Sequence, residues 1–292
     1  MNSKVFYFPQ TPARSPYYNL AIEEAIALKM VSEGVTAGVR LWKNPDSIIL
    51  GLSENPFRNI KEELVTNYET VARTVGFKKK PTPNFCYIAR RASGGGTVFH
   101  SLSGNINYSI YVNLDDRKEL FPVKDSYDIL LNIVAKSLER QNIHCSPKGK
   151  SDLVLEKNGI FKKISGNAQF RKRNCIVQHG TLILEENLIN RVAEVLHHPP
   201  EEPDYRKERS HKEFLTSLPN FFSETIWAKD LVREVFSYLG EPEPDSPEDF
   251  SKISFFGPDF STFRKHVLQE SESIRKKKYQ NPEYTLHREI PT

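Results

Sequence analysis

No stretch of this 292-residue chain approaches the roughly 18 consecutive apolar residues needed to span a bilayer as a helix. Cysteine is scarce too. Cys86, Cys145 and Cys175 are an odd count without metal-ligand spacing. That argues against a disulfide framework or a zinc site, and reads as free or buried thiols in a reducing compartment. Charge of one sign is also lacking. The 41 Lys and Arg against 37 Asp and Glu leave only +4, which permits an acidic partner but does not argue for nucleic acid. Internal repeats and low-complexity tracts are absent from the sequence. Met1-Asn2-Ser3-Lys4 runs straight into Val5-Phe6-Tyr7-Phe8, leaving no room for a secretory signal or an arginine-rich transit peptide. Such a start fits a cytosolic protein, or a mature or trimmed form.

What is present is the composition of a folded soluble protein: 38% hydrophobic and 27% charged residues. The length suits one large domain, or a domain with a smaller appendage. The chain is organised around Arg90-Arg91-Ala92-Ser93-Gly94-Gly95-Gly96-Thr97-Val98-Phe99-His100. Three adjacent glycines let the backbone approach a ligand and turn successive N–H groups toward an anion. Arginine adds a planar charged fork for phosphate or carboxylate. The stretch is not a nucleotide P-loop, since no Lys-Ser/Thr pair follows at that spacing, nor a dinucleotide fingerprint, whose glycines are spaced.

Around this loop the pattern predicts alternating strands and helices. Val5-Phe6-Tyr7-Phe8 is a strand, followed by a helix over about residues 17–32 with N-caps offered by Ser15 and Asn19. Residues 40–42 and 47–51 read as two strands joined by a turn at Asn44-Pro45-Asp46, and residues 59–68 as a polar helix. Residues 78–84 form a basic, proline-bounded connector. Residues 105–112 alternate as a half-buried strand that places Asn105 and Asn107 on one face, and residues 125–141 form an amphipathic helix. Asn158-Gly159 marks a hairpin between a strand opening at Asp152 and one closing on a tight Ser165-Gly166 turn. A further strand pair spans 168–170 and 175–184. Residues 199–213 read as an exposed loop, 225–239 as a helix ending at Gly240, 241–248 as a linker, and 263–278 as a charged helix before a polar tail.

Three elements could converge on one ligand. The glycine loop with Arg91 recognises an anion, Lys163 sits at a strand end beside the Ser165-Gly166 turn, and Asp152 could take Mg²⁺ or a ribose or adenine group. Lysine and arginine around an activated carboxylate suit adenylation, where charge builds on phosphate and carbonyl oxygens. Each residue also has a plain structural reading: a solvated lysine, a turn aspartate, and core histidines at His100 and His179. Composition and spacing therefore stop at an anion-binding α/β enzyme.

The motifs together resemble the lipoate–protein ligase A and lipoyltransferase family. Arg90 to His100 is similar to its Arg-Arg-x-Ser-Gly-Gly-Gly loop. Lys163-Ile164-Ser165-Gly166-Asn167-Ala168 is similar to its Lys-x-Ser-Gly-x-Ala motif, and Gln178-His179-Gly180-Thr181-Leu182 to its His-Gly-Thr-Leu strand. Tyr17-Tyr18-Asn19-Leu20-Ala21-Ile22-Glu23-Glu24 and residues 44–51 with Asn55-Pro56 match its N-terminal elements, so the motifs run in order over about residues 5–195.

The resemblance implies an α/β (α+β) fold, a biotin/lipoate-protein-ligase-like catalytic domain with mixed β-sheets packed by helices. It implies a catalytic domain over residues 1–215 and a helical extension over 216–292 without the full accessory domain. The implied activity is attachment of a lipoyl or octanoyl group, through an acyl-adenylate, to a lysine of acceptor domains (2-oxoacid dehydrogenase E2 subunits and the glycine cleavage H protein). ATP with Mg²⁺, or preformed lipoyl-AMP, would serve as cosubstrate, with an activating partner protein as an option and neither nucleic acid nor membrane as partner.

Lys163 would be catalytic. Arg90, Arg91, Ser93, Gly94, Gly95, Gly96, Thr97, Val98, Phe99 and His100 would bind acyl-adenylate, with Asn105, Asp152, Ser165, Gly166, Ala168, His179 and Gly180. Asp152 would also be the Mg²⁺ contact. The chain departs from the family pattern at His100-Ser101-Leu102-Ser103-Gly104-Asn105, which lacks the usual Asp, at Ser151-Asp152, and over residues 68–85, which look inserted. Two alternatives stand beside this reading: a cysteine amidotransferase using Cys145, with His144 and Lys148 near it, and a lipoate-binding protein without turnover. Lysine-, asparagine- and phenylalanine-rich composition suggests a eukaryote, for which the resemblance implies the mitochondrial matrix, against cytoplasm in a prokaryote.

Overall fold

The computed structural model describes residues 3–74 and 85–290. β1 (Val5–Phe8) leads into α1 (Pro16–Lys29), then β2 (Ala37–Trp42) and β3 (Ser47–Leu50). α2 (Pro56–Asn59) and α3 (Glu62–Thr74) precede β4 (Tyr87–Arg90), β5 (Val98–His100) and β6 (Asn105–Asn113). α4 (Val123–Glu139) is followed by β7 (Ser146–Lys148), β8 (Asp152–Lys157), β9 (Ile160–Lys172) and β10 (Cys175–Ile183). The remainder is helical: α5 (Glu186–Val195), α6 (His211–Phe214), α7 (Glu224–Leu239), α8 (Pro247–Lys252), α9 (Ser261–Ile274) and α10 (Pro282–His287).

Two mixed sheets result. The larger runs β1-β2-β6-β10-β9-β8-β7, with β1 parallel to β2 and the other neighbours antiparallel. The smaller runs β4-β3-β5, with β3 parallel to β4. The mixed α/β architecture expected from the sequence is therefore present. β2 and β3 are not hairpin partners, however. The Asn44-Pro45-Asp46 turn carries the chain from one sheet to the other, which places the smaller sheet against the larger one.

α1 packs on β9 and β10 of the larger sheet, touches β4 of the smaller one and is covered by α9, and that explains its composition. Eleven of its residues are buried, so it reads apolar on nearly every side except for Asn19, Glu23 and Glu24, each of which has polar partners. Ser15 caps it, accepting from the Tyr18 amide at 3.4 Å. On the other face of the larger sheet α4 and α7 form a layer around Trp227, which is fully buried and donates from its indole N–H to Ser137 Oγ at 2.8 Å. α7 ends at Gly240 with φ 74°, the left-handed cap expected there.

Two segments differ from their sequence reading. Residues 199–213 are not a free loop: Arg206 is buried, and a short 3₁₀ turn and α6 fold across β9. The polar tail contains α10, whose Tyr284, Thr285 and Leu286 are buried against the smaller sheet. The basic connector of residues 78–84 lies outside the described residues.

Candidate active site

The loop between β4 and β5 is built by Arg91. Its guanidinium donates to Gly94 O at 2.6 Å, Gly96 O at 2.9 Å, Ser93 Oγ at 2.9 Å and Ile49 O at 3.2 Å. Burial depresses its pKa to about 10, against the pull of Glu54 and Glu23, so it stays cationic at neutral pH. Drawing the Gly94 and Gly96 carbonyls inward turns the following Gly95 and Thr97 N–H groups outward, because a trans peptide holds C=O and N–H on opposite sides. A Cβ at Gly94 or Gly96 would meet nothing within 4 Å, so the loop is open on that side. Gly95 has φ +82°, and a Cβ there would lie 3.0 Å from Arg91 Nη2. Thr97 ties the far end, donating to Glu54 Oε2 at 3.0 Å and accepting from Asn59 at 3.1 Å.

Opposite the loop stands β9. Asp152 on β8 pairs with Gly166, so both share a face of the sheet. A register shift between Leu153 and Val154 leaves Ile164 as an extra residue on β9. Such a bulge re-aims the side chains that precede it. Ile164 enters the core under α4, and Lys163 comes onto the face of Gly166, where its Nζ reaches Asp152 Oδ1 at 2.7 Å. The expected Ser165-Gly166 turn is therefore a correction: both residues continue β9, and the bulge, not a turn, presents the lysine. A Cβ on Gly166 would come within 2.9 Å of Lys163 Nζ, so this glycine makes room for the ammonium. Along the same face Ala168 lies under Gly95, 3.7 Å from the position of a Cβ there. Gly166 and Ala168 lie about 7 Å apart along β9, one beside the ammonium and the other beneath the loop.

The loop is backed by a buried relay. Ser93 Oγ lies 2.7 Å from His179 Nε2, and His179 Nδ1 lies 2.9 Å from Glu23 Oε2. Ser109 donates to Glu23 Oε1 at 2.5 Å. Burial works against the Glu23 charge, yet His179, Ser109 and Arg40 hold its carboxyl below the usual range. Gly180, next to His179, faces the other way and gives space to Asn167 and Tyr108, which hydrogen-bond there. Ser165 Oγ reaches the same Asn167 at 3.4 Å.

Several expected ligand contacts are occupied by the fold itself. Arg90 is 1% exposed, and its guanidinium donates to carbonyls of Gly51, Leu52, Glu54, Tyr284, Thr285 and Leu286. Its role is to join α10 to the turn after β3, not to face the cleft. His100 accepts at Nδ1 from Asn44 at 3.1 Å, which leaves Nε2–H to donate to Thr181 at 3.0 Å. Burial and the nearby Arg91 push its pKa down to about 3, so it is a neutral structural histidine. Asn105 accepts from the Ser101 amide at 2.7 Å and donates to Asn107 at 3.2 Å, closing the turn before β6. The Phe99 ring belongs to the core of the smaller sheet, while Val98 is half-buried at its edge.

Asp152, the expected Mg²⁺ contact, has both carboxylate oxygens engaged within the protein. Lys163 holds one carboxylate oxygen and the Tyr205 hydroxyl donates to the other at 2.7 Å. Among the described residues no group of three or more His, Cys, Asp or Glu side chains could hold a metal ion. A Mg²⁺ ion held by Asp152 together with substrate phosphates would have to share a carboxylate that Lys163 and Tyr205 already occupy, and no step below passes through such an ion. Tyr205 itself was invisible to sequence reasoning, since nothing local to residues 199–213 says that it reaches Asp152.

Comparison with known proteins identifies the family and the fold. The model of the lipoyl protein ligase A/B catalytic domain matches residues 15–240. A protein named as a lipoate-protein ligase A from Aeropyrum pernix is 30% identical over 237 residues, 80% of each chain. The fold is shared with the bi-partite lipoate protein ligase of Thermoplasma acidophilum, solved in a study of that ligase and its E2 lipoyl domain, at TM-score 0.72 and 18% identity over 100% of this chain and 99% of that one. It is shared as well with a lipoate-protein ligase A bound with ATP, at TM-score 0.70 and 18% identity over 98% and 99% of the chains. An open glycine loop facing a bulge-presented lysine, on this fold and in this motif order, belongs to an enzyme of the lipoyl protein ligase A/B catalytic-domain family.

Proposed function

We propose that this enzyme activates lipoate or octanoate with ATP and passes the acyl group to a lysine of an acceptor domain, in E2 subunits or the H protein. The observation that carries the reading is the placement of Lys163 on the face of β9 whose Ala168 lies beneath Gly95 of the Gly94–Gly96 loop. Outward N–H groups of Gly95 and Thr97 suit an α-phosphate, and the ammonium suits the carbonyl oxygen of the same mixed anhydride as charge builds there. The acceptor amine attacks the acyl carbon, the C–N bond forms, and AMP leaves with the electron pair of the broken C–O bond. The ATP named for the solved neighbour and the E2 lipoyl domain named with the Thermoplasma ligase support these choices of cosubstrate and acceptor. The bi-partite description of that ligase supports a second polypeptide assisting activation. A eukaryotic composition together with the family resemblance supports the mitochondrial matrix, against the cytoplasm in a prokaryote, and subcellular fractionation would test it.

A cysteine-dependent amidotransferase gains no support from the site. Burial, with Glu139 adding to it, pushes the Cys145 thiol up to about 12, and His144 turns to Glu139 at 3.4 Å. The experiment is the intact mass of a purified apo acceptor domain after incubation with this protein, lipoate and Mg·ATP, with lipoyl-AMP in a parallel tube. A gain of one lipoyl group in both tubes is the expected result. A gain with lipoyl-AMP alone would assign activation to a partner, and no gain in either would overturn the reading.

A further inference from the structure

The chain folds back across Lys163 after β10. Thr216 N donates to Lys163 O at 3.0 Å, and Arg209 donates to Phe161 O at 3.0 Å, so this segment is tied to β9 at the lysine and two residues before it. Just before those ties Tyr205 is held firmly. Arg209 donates to its carbonyl at 2.8 Å, its ring packs 5.3 Å from that of Phe214, and Gly149, at φ +61°, leaves it space that a Cβ would close to 3.3 Å. Lys207 and Glu208 both take left-handed φ, 53° and 58°, which non-glycine residues adopt at a cost. Glu202 and Arg209 hold that turn: Glu202 accepts from the Glu208 amide at 2.6 Å, and Arg209 donates to Arg206 O at 2.9 Å. The segment is thus over-determined around one outcome, the Tyr205 hydroxyl on Asp152 Oδ2 at 2.7 Å.

We infer that Tyr205 is a positioning residue for Lys163 and acts through Asp152, a role that rests on the adenylation reading above. Lys163 is about a quarter exposed and ion-paired at rest. To meet a phosphate or carbonyl oxygen it must yield part of its contact with Asp152. A hydroxyl donor on the other carboxylate oxygen draws on the same negative charge, so Asp152 grips the ammonium less tightly. It also stops the carboxylate from rotating to follow the lysine into the cleft. Burial and the Asp152 charge shift the Tyr205 phenol upward against the partial opposing pull of Arg209 and Arg206, so it stays protonated and remains a donor. Tyr205 therefore sets how freely Lys163 leaves its resting partner.

The test uses the full chain with Tyr205→Phe, Asp152→Asn and the double variant. Lipoyl-AMP formation from lipoate and Mg·ATP gives kcat and KM. Acetylation of Lys163 by a succinimidyl ester at one fixed pH, read by peptide mass, gives a signal independent of turnover. Tyr205→Phe should lower kcat about tenfold with the lipoate KM unchanged, and slow Lys163 acetylation about fivefold. Both effects should vanish when Asp152 is already Asn, because nothing is left for the hydroxyl to act through. Arg209→Lys, which keeps the hydroxyl but loosens its anchor, should show the same pattern at smaller size, and decides the matter if Tyr205→Phe does not fold. Wild-type acetylation and kcat in these variants, or losses that add in the double variant, would overturn the inference. Absence of lipoyl-AMP with the wild-type chain would instead strike the adenylation reading, and the acetylation arm would still decide the coupling of Tyr205 to Lys163.

Discussion

Lys163 Nζ and Asp152 Oδ1 are 2.7 Å apart although the two residues are not cross-strand partners; Asp152 pairs with Gly166, and Lys163 with Val154. The bulge at Ile164 makes the contact possible by changing which face of β9 the lysine occupies. Replacing Lys163 by Ala should lower lipoyl-AMP formation and acceptor transfer by about 10²–10³ in kcat. Thermal unfolding should fall as well, because Asp152, 9% exposed in its side chain, keeps only the Tyr205 hydroxyl as a partner. Gly166→Ala should act in the same direction but more weakly, since its methyl group displaces the flexible end of the lysine. Pyrophosphate release measures both; full activity of Lys163→Ala would remove the lysine from the chemistry.

Arg90 and Arg91 should separate cleanly. Arg90→Ala leaves buried carbonyls of two distant segments without their donor, and should cost about 3–5 kcal/mol of stability. Its ATP KM, measured well below the transition, should be unchanged. Arg91→Lys replaces a fork by a point charge and cannot hold Gly94, Gly96 and Ile49 together. It should raise the ATP KM about tenfold or more. Denaturant titration and initial-rate kinetics on the two variants decide the assignment, and a reversed pattern would refute it.

Stability should fall on mild acidification because His100 is buried neutral. Its folded pKa of about 3 lies below the ordinary 6.5, so protons bind preferentially to the unfolded chain between those values. The stabilisation is complete above about pH 6.5 and is lost as pH drops toward 3, at up to about 1.4 kcal/mol per unit. His211, also shifted down, adds in the same direction. Glu23 and Glu24 add losses only below the ordinary carboxylate range. Urea unfolding between pH 7.5 and 5 isolates the histidine part. His100→Asn should flatten that slope even if it lowers the plateau.

Cys145→Ala should leave acyl transfer at the wild-type rate. A thiol pushed up to about 12 supplies almost no thiolate at neutral pH. Loss of transfer in this variant, with folding intact, would restore the thioester route.

Much of the fold was legible because its signals are local. Ser15 and Gly240 cap their helices as expected, the Asn158-Gly159 hairpin forms, and Asn105 and Asn107 share a face of β6. The β2–β3 connection misled because a proline turn looks the same whether it joins partners or passes between sheets. The Ser165-Gly166 turn misled for a similar reason: glycine inside a strand marks close approach as readily as a turn, and here the approaching group is Lys163.

By itself the sequence determined the identity and order of the motifs, the open glycine loop, and the lysine that faces it. Those depend on residue chemistry and on short spacings. Only the tertiary structure decided what the two adjacent arginines do. One meets carbonyls supplied by α10, some 195 residues further on, and the other meets the loop that follows it. Tyr205 is the same case, since its partner Asp152 lies 53 residues away. A side chain's donors are written in the sequence, but the acceptors they find are set by how distant segments close upon one another.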